Sequence, residues 1–221
     1  MTPCKPLPAS LTTILFDLDG TLVDSRELIR RSLQQTVQEY LDLIPSEEEL
    51  HRFTGVPLMD IMAHYDTTRA KEMAERYRVV YDEIQGSHLF PGILDLLDVL
   101  HRRGYAMAVV TTKGRGPALS HLAEHALEAY FPVVITSHDV MELKPSREPV
   151  VKALEGLGKR SEEALMIGDS IYDIWAGNRA GVLTGWAAWG ADVAPDFGPC
   201  PPDYTWEQPL DILNCLPGAS A

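Results

Sequence analysis

The amino-acid sequence predicts an α/β fold in which a parallel sheet carries helices on both faces and a small helical segment is inserted. From residue 90 onward, short apolar runs alternate with helical patterns, as in strand–helix–strand units. Between residues 24 and 86, the periodicity is helical throughout. We therefore expect a doubly wound, Rossmann-like core of residues 1–23 and 87–221. An all-helical cap of residues 24–86 would interrupt this core after its first strand.

The first predicted strand, residues 14–16, ends in two carboxylates, Asp17 and Asp19, which are followed by Gly20. Ligands of open parallel sheets bind beyond the carboxyl ends of the strands, so this position indicates a site. Neighbouring carboxylates repel each other unless a cation or a shared proton relieves them, and Mg²⁺ prefers oxygen ligands. The alternative is an ordinary turn, because Asp caps its own backbone and Gly adopts positive φ.

The insertion is predicted to contain four helices and no strand. Their starts and ends are marked by capping and helix-breaking residues: Asp24 or Ser25, Pro45, Ser46, Pro57, Asp66 and Gly86. The break at residues 53–57 contains Thr54 and Gly55 and is a candidate for a loop that reaches the site, since glycine lets the backbone approach a ligand. A plain helix connector is the alternative. Arg26 and Arg30 could meet an anionic substrate or simply face solvent.

The chain after the insertion is predicted to alternate between helix and strand. A helix closed by Gly104 comes first, and further strands are predicted at residues 105–110, 133–135, 164–167 and 182–184. Helices are predicted at residues 117–126, 148–157, 171–180 and 210–216. Residues 190–202 are rich in Pro and Gly, which is typical of a loop.

Three of these later strands are also followed by residues suited to phosphoryl chemistry: Thr111, Thr112 and Lys113, then Lys144, then Asp169 and Asp173. Phosphoryl transfer needs a nucleophile, a bridging cation, donors around the phosphoryl oxygens and a proton relay. Singly, each residue has a common structural role, such as a helix cap or a solvated charge. Their joint occurrence after successive buried strands favours a phosphoryl-transfer site. Lys113 and Arg115 are predicted at its mouth.

These residues resemble the four motifs of the haloacid dehalogenase-like hydrolase superfamily, in the right order and over nearly the whole chain: Asp17-x-Asp19-Gly20-Thr21, Thr111, Lys144-Pro145 and Gly168-Asp169-Ser170-x-x-Asp173. Within that superfamily the chain looks most like the phosphoglycolate phosphatase-like group, whose members carry a small helical cap. Two of the chain's departures from the common pattern are Thr112, where many relatives have Asn, and Ser146-Arg147 after the lysine motif.

The resemblance implies a Mg²⁺-dependent phosphatase that works through an aspartyl-phosphate intermediate. Asp17 resembles the nucleophile, and Asp19 resembles the general acid for the leaving alcohol and then the base for water. Thr111 would donate to the phosphoryl oxygens, and Lys144 would neutralise the nucleophile and the phosphate.

The same resemblance implies a metal site and a substrate site. Mg²⁺ would be held by Asp17, the backbone carbonyl of Asp19 and Asp169, with Asp173 as a supporting or additional contributor. Residues expected at the substrate are Gly20, Thr54, Gly55, Thr112 and Lys113.

The substrate expected from the resemblance is a small phosphorylated metabolite, with 2-phosphoglycolate as the leading candidate. A sugar phosphomutase of the β-phosphoglucomutase type uses the same two carboxylates and stays open, as does a ligand-binding relative without catalysis. The acid at Asp19 argues against a dehalogenase. A phosphonatase would need a cap lysine, and the insertion offers only Lys71, on a charged helical face.

Composition limits the classes of partner and the location. A formal net charge of −13 argues against nucleic acid, because affinity for phosphate backbones comes from clustered Lys and Arg. No apolar run is long enough to span a membrane, and we find no signal peptide. The three cysteines are odd in number, which favours unpaired thiols in a reducing compartment, so we expect a cytoplasmic protein. Monomer and homodimer both stay open.

Overall fold

The computed structural model describes residues 5–84 and 86–217, and a parallel sheet lies at its centre. Within these residues the strands are β1 (Thr13–Phe16), β2 (Val23–Asp24), β3 (His88–Leu89), β4 (Ala106–Val110), β5 (Val133–Ile135), β6 (Ala164–Gly168), β7 (Leu183–Ala187) and β8 (Tyr204–Trp206). Six of them form one sheet in the order β5-β4-β1-β6-β7-β8, and every neighbouring pair is parallel. The predicted α/β architecture is confirmed.

The registers of the central strands place their carboxyl ends side by side. Phe16, the last residue of β1, is opposite Val109 of β4 and Ile167 of β6. All of β1 is buried, as expected for a central strand of a parallel sheet covered on both faces. The residues that follow β1, β4 and β6 therefore emerge at one edge of the sheet.

The helices within the described residues are α1 (Arg26–Leu41), α2 (Glu47–Arg52), α3 (Leu58–Tyr65), α4 (Ala70–Ile84), α5 (Ile93–Arg102), α6 (Arg115–Glu124), α7 (Glu148–Leu157), α8 (Ile171–Ala180) and α9 (Asp211–Cys215). Side chains of β1 alternate between two apolar clusters. Ile14 and Phe16 pack with α5 and α6, whereas Leu15 packs with α7 and α8 on the other face. Helices thus cover both faces, as the strand–helix alternation predicts.

The first four helices, α1–α4, share an apolar cluster of their own, and we call them the cap. Its buried members include Leu33, Leu50, Met62 and Met73, one from each helix. The segments that enter and leave the cap pair as a short antiparallel ribbon of β2 and β3. The expectation of no strand from residue 24 onward is therefore wrong for Asp24, which ends β2.

Two further elements, β8 and the fourth cap helix, differ from the sequence prediction. β8 was not expected, because its three residues, Tyr-Thr-Trp, lie next to a Pro-rich loop and are too short to stand out. It extends the sheet beside β7 and buries Tyr204 and Trp206. The fourth cap helix begins at Ala70, because the Asp66 carboxylate accepts the N–H groups of Thr68 and Arg69 and caps the turn before that helix.

The thiols were predicted to be unpaired. Cys200 is exposed and free, as predicted, but Cys215 is disulfide-bonded, so that prediction is wrong there. Cys4 lies outside the described residues. Across the described ranges, we find no helix with both the length and the apolar character that crossing a bilayer requires.

Candidate active site

Side chains from two strand ends, one helix and one loop meet at the carboxyl edge of the sheet. Asp17 follows β1, Asp169 follows β6, and Asp173 lies in the first turn of α8. Lys144 enters from the loop between β5 and α7, and its Nζ lies 2.8 Å from Asp17 Oδ1 and 2.6 Å from Asp173 Oδ1. All four side chains are buried. We call Asp17, Lys144, Asp169 and Asp173 the floor.

Lys144 is held as an ammonium ion by its surroundings. Its Nζ also donates to the carbonyl oxygen of Val110 at 3.0 Å. Burial alone would lower the pKa of Lys144, but the adjacent Asp17 and Asp173 carboxylates outweigh it, and the pKa is raised. The lysine therefore contributes a fixed positive charge beside Asp17.

The floor carries more negative than positive charge. Carboxylate oxygens of Asp17, Asp169 and Asp173 lie within 4.8 Å of one another, and Lys144 is the ammonium among them. Burial raises the pKa of Asp17 to about 7, although Lys144 opposes it. Burial and the neighbouring carboxylates also raise the pKa of Asp169 well above its usual value. Three clustered carboxylates facing one ammonium ion form a donor set that fits a hard divalent cation.

The three acids are not equivalent. Both oxygens of Asp173 are engaged: Oδ1 accepts from Lys144, and Oδ2 accepts from the N–H and hydroxyl of Ser170. Asp173 is therefore better suited to orient Lys144, and Asp17 and Asp169 are better placed to ligate a cation directly. Gly20 lies against the Asp169 carboxylate with φ +82°, and a Cβ there would collide with it. Only glycine meets both requirements.

Asp19 lies beside the floor in a different electrostatic environment. Ser25 donates to its Oδ1 at 2.6 Å, and Lys113 Nζ lies 3.0 Å from both carboxylate oxygens. Burial would raise the pKa of Asp19, but the Lys113 ammonium and the hydrogen bond from Ser25 outweigh it, and the pKa is lowered. Lys113, which was predicted at the substrate, thus forms an ion pair with Asp19.

A cavity of about 960 Å³ lies between the floor and the cap. Its lining includes every residue predicted to meet the substrate: Gly20, Thr54, Gly55, Thr112 and Lys113. Gly55 has φ +77°, and a Cβ there would come within 2.6 Å of Ser170 Oγ. The cap loop 53–57 therefore reaches the core, and at Gly55 its backbone lies against Ser170. This geometry fits a loop that reaches the site better than a plain helix connector.

The arginines named from sequence are already paired. Arg26 and Arg30 line the cavity, but Arg26 binds Asp24 and Asp192, and Arg30 binds two glutamates of the cap. Arg115 pairs with Asp139. Their charges are thus partly neutralised before any substrate arrives.

Sequence reasoning missed two buried residues next to Asp19. Tyr81 of α4 accepts a hydrogen bond from Lys113 Nζ at 3.0 Å, and its hydroxyl lies 3.2 Å from Nε2 of His121 in α6. No local pattern marks either residue, because the partners lie 32 and 40 positions apart in the chain.

Residues 14–187 match the family model described as haloacid dehalogenase-like hydrolase. The chain belongs to this family. It is 37% identical to the pyrophosphatase PpaX of Oceanobacillus iheyensis, over 94% of this chain and 97% of that protein. The corresponding protein of Anoxybacillus flavithermus is 35% identical with the same coverage. The resemblance read from the motifs is confirmed.

Solved structures give the same result. A haloacid dehalogenase-like family hydrolase of Streptococcus pneumoniae superimposes with a TM-score of 0.81 at 29% identity, over 93% of this chain and 98% of that chain. A Lactobacillus plantarum protein named as a candidate phosphoglycolate phosphatase gives a TM-score of 0.83 at 25% identity, over 93% and 99%. Together with the sequence relatives, these likenesses identify the chain as a phosphatase of the haloacid dehalogenase-like family, in the phosphoglycolate phosphatase-like group.

Proposed function

We propose that the chain is a Mg²⁺-dependent phosphatase that hydrolyses a small phosphorylated metabolite through an aspartyl phosphate on Asp17. The observation that carries this proposal is the floor: a buried carboxylate at a strand end, with an ammonium ion 2.8 Å away and a second acidic ligand beside it. A nucleophilic carboxylate needs such neutralisation, because the phosphoryl group it attacks is itself an anion.

In the first step, an oxygen of Asp17 attacks phosphorus while the bond from phosphorus to the leaving oxygen breaks. Asp19, protonated in the substrate complex, gives its proton to that oxygen, and the leaving group departs as an alcohol or, from pyrophosphate, as phosphate. In the second step, water attacks phosphorus, Asp19 takes the water proton, and the bond from phosphorus to Asp17 breaks. Phosphate is released and both carboxyl groups return to their starting states.

Two further residues would stabilise the phosphoryl group. Thr111 Oγ1 accepts the backbone N–H of Lys113 at 3.1 Å, so its own hydroxyl proton is available to a phosphoryl oxygen. The ammonium of Lys144 would offset the charge that develops on the equatorial oxygens.

Asp17 and Asp169 would hold Mg²⁺ through their carboxylates and Asp19 through its backbone carbonyl, with Asp173 supporting the site. When bound, the ion supplies positive charge to the phosphoryl oxygens and orients them toward Asp17. The negative excess of the floor supports this assignment.

Two substrates have specific support. 2-Phosphoglycolate follows from the motif resemblance and from the name of the Lactobacillus plantarum protein. Pyrophosphate follows from the names of the curated relatives, which are 35–37% identical over 94% of this chain. In this proposal either substrate would place one phosphoryl group at the floor, and the anionic remainder would point toward the cap.

A phosphate-release assay over both candidates and p-nitrophenyl phosphate, with Mg²⁺ or with EDTA, tests the proposal. We expect Mg²⁺-dependent release by the wild type and none above background by Asp17→Asn with its fold retained by circular dichroism. Asp95→Asn, an exposed change on α5, is the matched control and should keep full activity. Release by Asp17→Asn would reject the assignment. An isomeric sugar phosphate formed without phosphate release would favour the mutase.

A further inference from the structure

Four buried or largely buried side chains from separate parts of the chain meet beside the floor, and we call them the Tyr81 network: Asp19, Tyr81, Lys113 and His121. The network runs from Asp19 to Lys113 at 3.0 Å, from Lys113 to the Tyr81 hydroxyl at 3.0 Å, and from that hydroxyl to His121 Nε2 at 3.2 Å. It closes where His121 Nδ1 lies 3.9 Å from Asp19 Oδ1.

The donors and acceptors of this network have a defined direction. A lysine ammonium can only donate, so the Tyr81 hydroxyl must accept from Lys113. That hydroxyl then has its single proton available to His121 Nε2, and we assign His121 the tautomer in which Nε2 accepts this proton. The remaining proton of a neutral imidazole is therefore on Nδ1, on the side of Asp19. Burial, and then Lys113, lower the pKa of His121, in agreement with a neutral ring.

His121 Nδ1 is a buried nitrogen without a hydrogen-bond partner among the described residues. The 3.9 Å to Asp19 Oδ1 is too long for a hydrogen bond, yet Asp19 Oδ1 is the acidic oxygen that this nitrogen faces. Buried donors are normally satisfied, so an unpaired one beside a proposed acid–base residue calls for an explanation. The unpaired Nδ1–H of His121 could donate to Asp19 Oδ1 after Asp19 loses its proton, and it would then stabilise the carboxylate.

Tyr81 comes from the cap, whereas its three partners come from the core. The tyrosine ring also stacks on the His121 ring, with centroids 5.7 Å apart, and lies 4.4 Å from Lys113 Nζ. The network is therefore complete only when α4 lies against α6.

We propose, on the basis of the function proposed above, that Tyr81 and His121 are positioning residues for the acid–base step. They hold the Lys113 ammonium on Asp19 and direct a second donor toward it, so that protonation of the leaving group is efficient only with the cap docked. Tyr81 lines the cavity, and neither residue is part of the floor.

A positioning role for Tyr81 and His121 can be distinguished from a merely structural role by comparing two substrates whose leaving groups differ in their need for a proton. An alkyl phosphate must have its leaving oxygen protonated, whereas p-nitrophenyl phosphate releases a stable anion without help. We would measure single-turnover release of each leaving group by rapid quench, with Mg²⁺ present. The variants are Tyr81→Phe, which keeps the stacked ring, and His121→Gln, which keeps a polar group toward Tyr81. Tyr40→Phe removes another cap hydroxyl, bonded to Glu72, and is the control.

We expect Tyr81→Phe and His121→Gln to slow alkyl-phosphate cleavage by about tenfold or more, which is part of the rate that a general acid contributes. Cleavage of p-nitrophenyl phosphate should slow by less than about threefold, because its leaving group does not need the proton. The control should match the wild type on both. An equal loss on both substrates, or no loss on either, would overturn the inference. Failure of the proposed function is separate: it would appear as no Mg²⁺-dependent release by the wild type, or as full release by Asp17→Asn.

Discussion

The floor of the cavity and the cap above it are held by different kinds of contact. The floor is buried, and its lysine contacts two carboxylates at 2.6–2.8 Å. The cap is tied to the core loop after β7 by Arg26 and His51, which contact Asp192 at 2.9 and 3.4 Å, and Asp192 is 53% exposed. Buried charges depend on one another strongly, whereas exposed ion pairs contribute little each. We therefore expect floor changes to abolish chemistry and cap changes to tune it.

Lys144→Met should have the largest effect on both stability and activity. Removing one partner of a buried ion pair leaves its carboxylates uncompensated, which costs about 3–5 kcal/mol of unfolding free energy. Chemical denaturation monitored by circular dichroism measures it, with the exposed Lys71→Met in the cap as control. If Lys144→Met were as stable as Lys71→Met, the charges of the floor would not stabilise one another as we infer.

The acids of the floor should differ in their effect on metal binding. Asp169→Asn removes a direct ligand in our assignment and should abolish measurable Mg²⁺ binding. Asp173→Asn removes a residue that orients the site and should weaken binding by about 10- to 100-fold. Isothermal titration with Mg²⁺ measures both without reference to turnover. Equal losses would contradict the distinction drawn from the Ser170 and Lys144 contacts of Asp173.

Gly20→Ala and Gly55→Ala apply the same change to the floor and to the cap. Both glycines have positive φ, and an added Cβ would collide with Asp169 in one case and crowd Ser170 in the other. We expect Gly20→Ala to lose Mg²⁺ binding, and Gly55→Ala to keep it while kcat/KM falls by about tenfold, because only the cap loop is displaced.

Gly104→Ala is a control that introduces the backbone strain of the other two glycine variants without their steric collision. Its φ is +79°, and nothing lies within 4 Å of the added Cβ. It should lose some stability and keep both Mg²⁺ binding and kcat/KM. If Gly55→Ala impaired Mg²⁺ binding as much as Gly20→Ala, the separation of floor and cap would be wrong.

Asp192→Asn should have the smallest effect. It weakens the contacts of Arg26 and His51 with the core, and partly exposed pairs are worth less than about 1 kcal/mol each. We expect a KM a few-fold higher at low salt and a difference that shrinks as salt rises, because screening already weakens the native pairs. Steady-state kinetics at two ionic strengths would show this, and a large fall in kcat would mean that the loop takes part in chemistry.

The floor could be predicted from sequence because its information is local. Asp17 and Asp169 directly follow apolar strands, and parallel strands bring such positions to one edge whatever the loops do. The cap contacts could not be predicted in this way. Tyr81, His121 and Asp192 meet partners far away in the chain, and nothing in their neighbouring residues indicates it. Lys113 shows the limit within the site itself: its position was predicted, but its pairing with Asp19 depends on side-chain packing.

The most direct test of the account is to look for the covalent intermediate on Asp17. Asp19→Asn removes the base of the second step, while p-nitrophenyl phosphate does not need the acid of the first. This variant, mixed with Mg²⁺ and that substrate and then quenched in acid, should carry one phosphoryl group on the peptide that contains Asp17. Release of p-nitrophenol with no phosphate on Asp17, or with phosphate on another residue, would contradict the account.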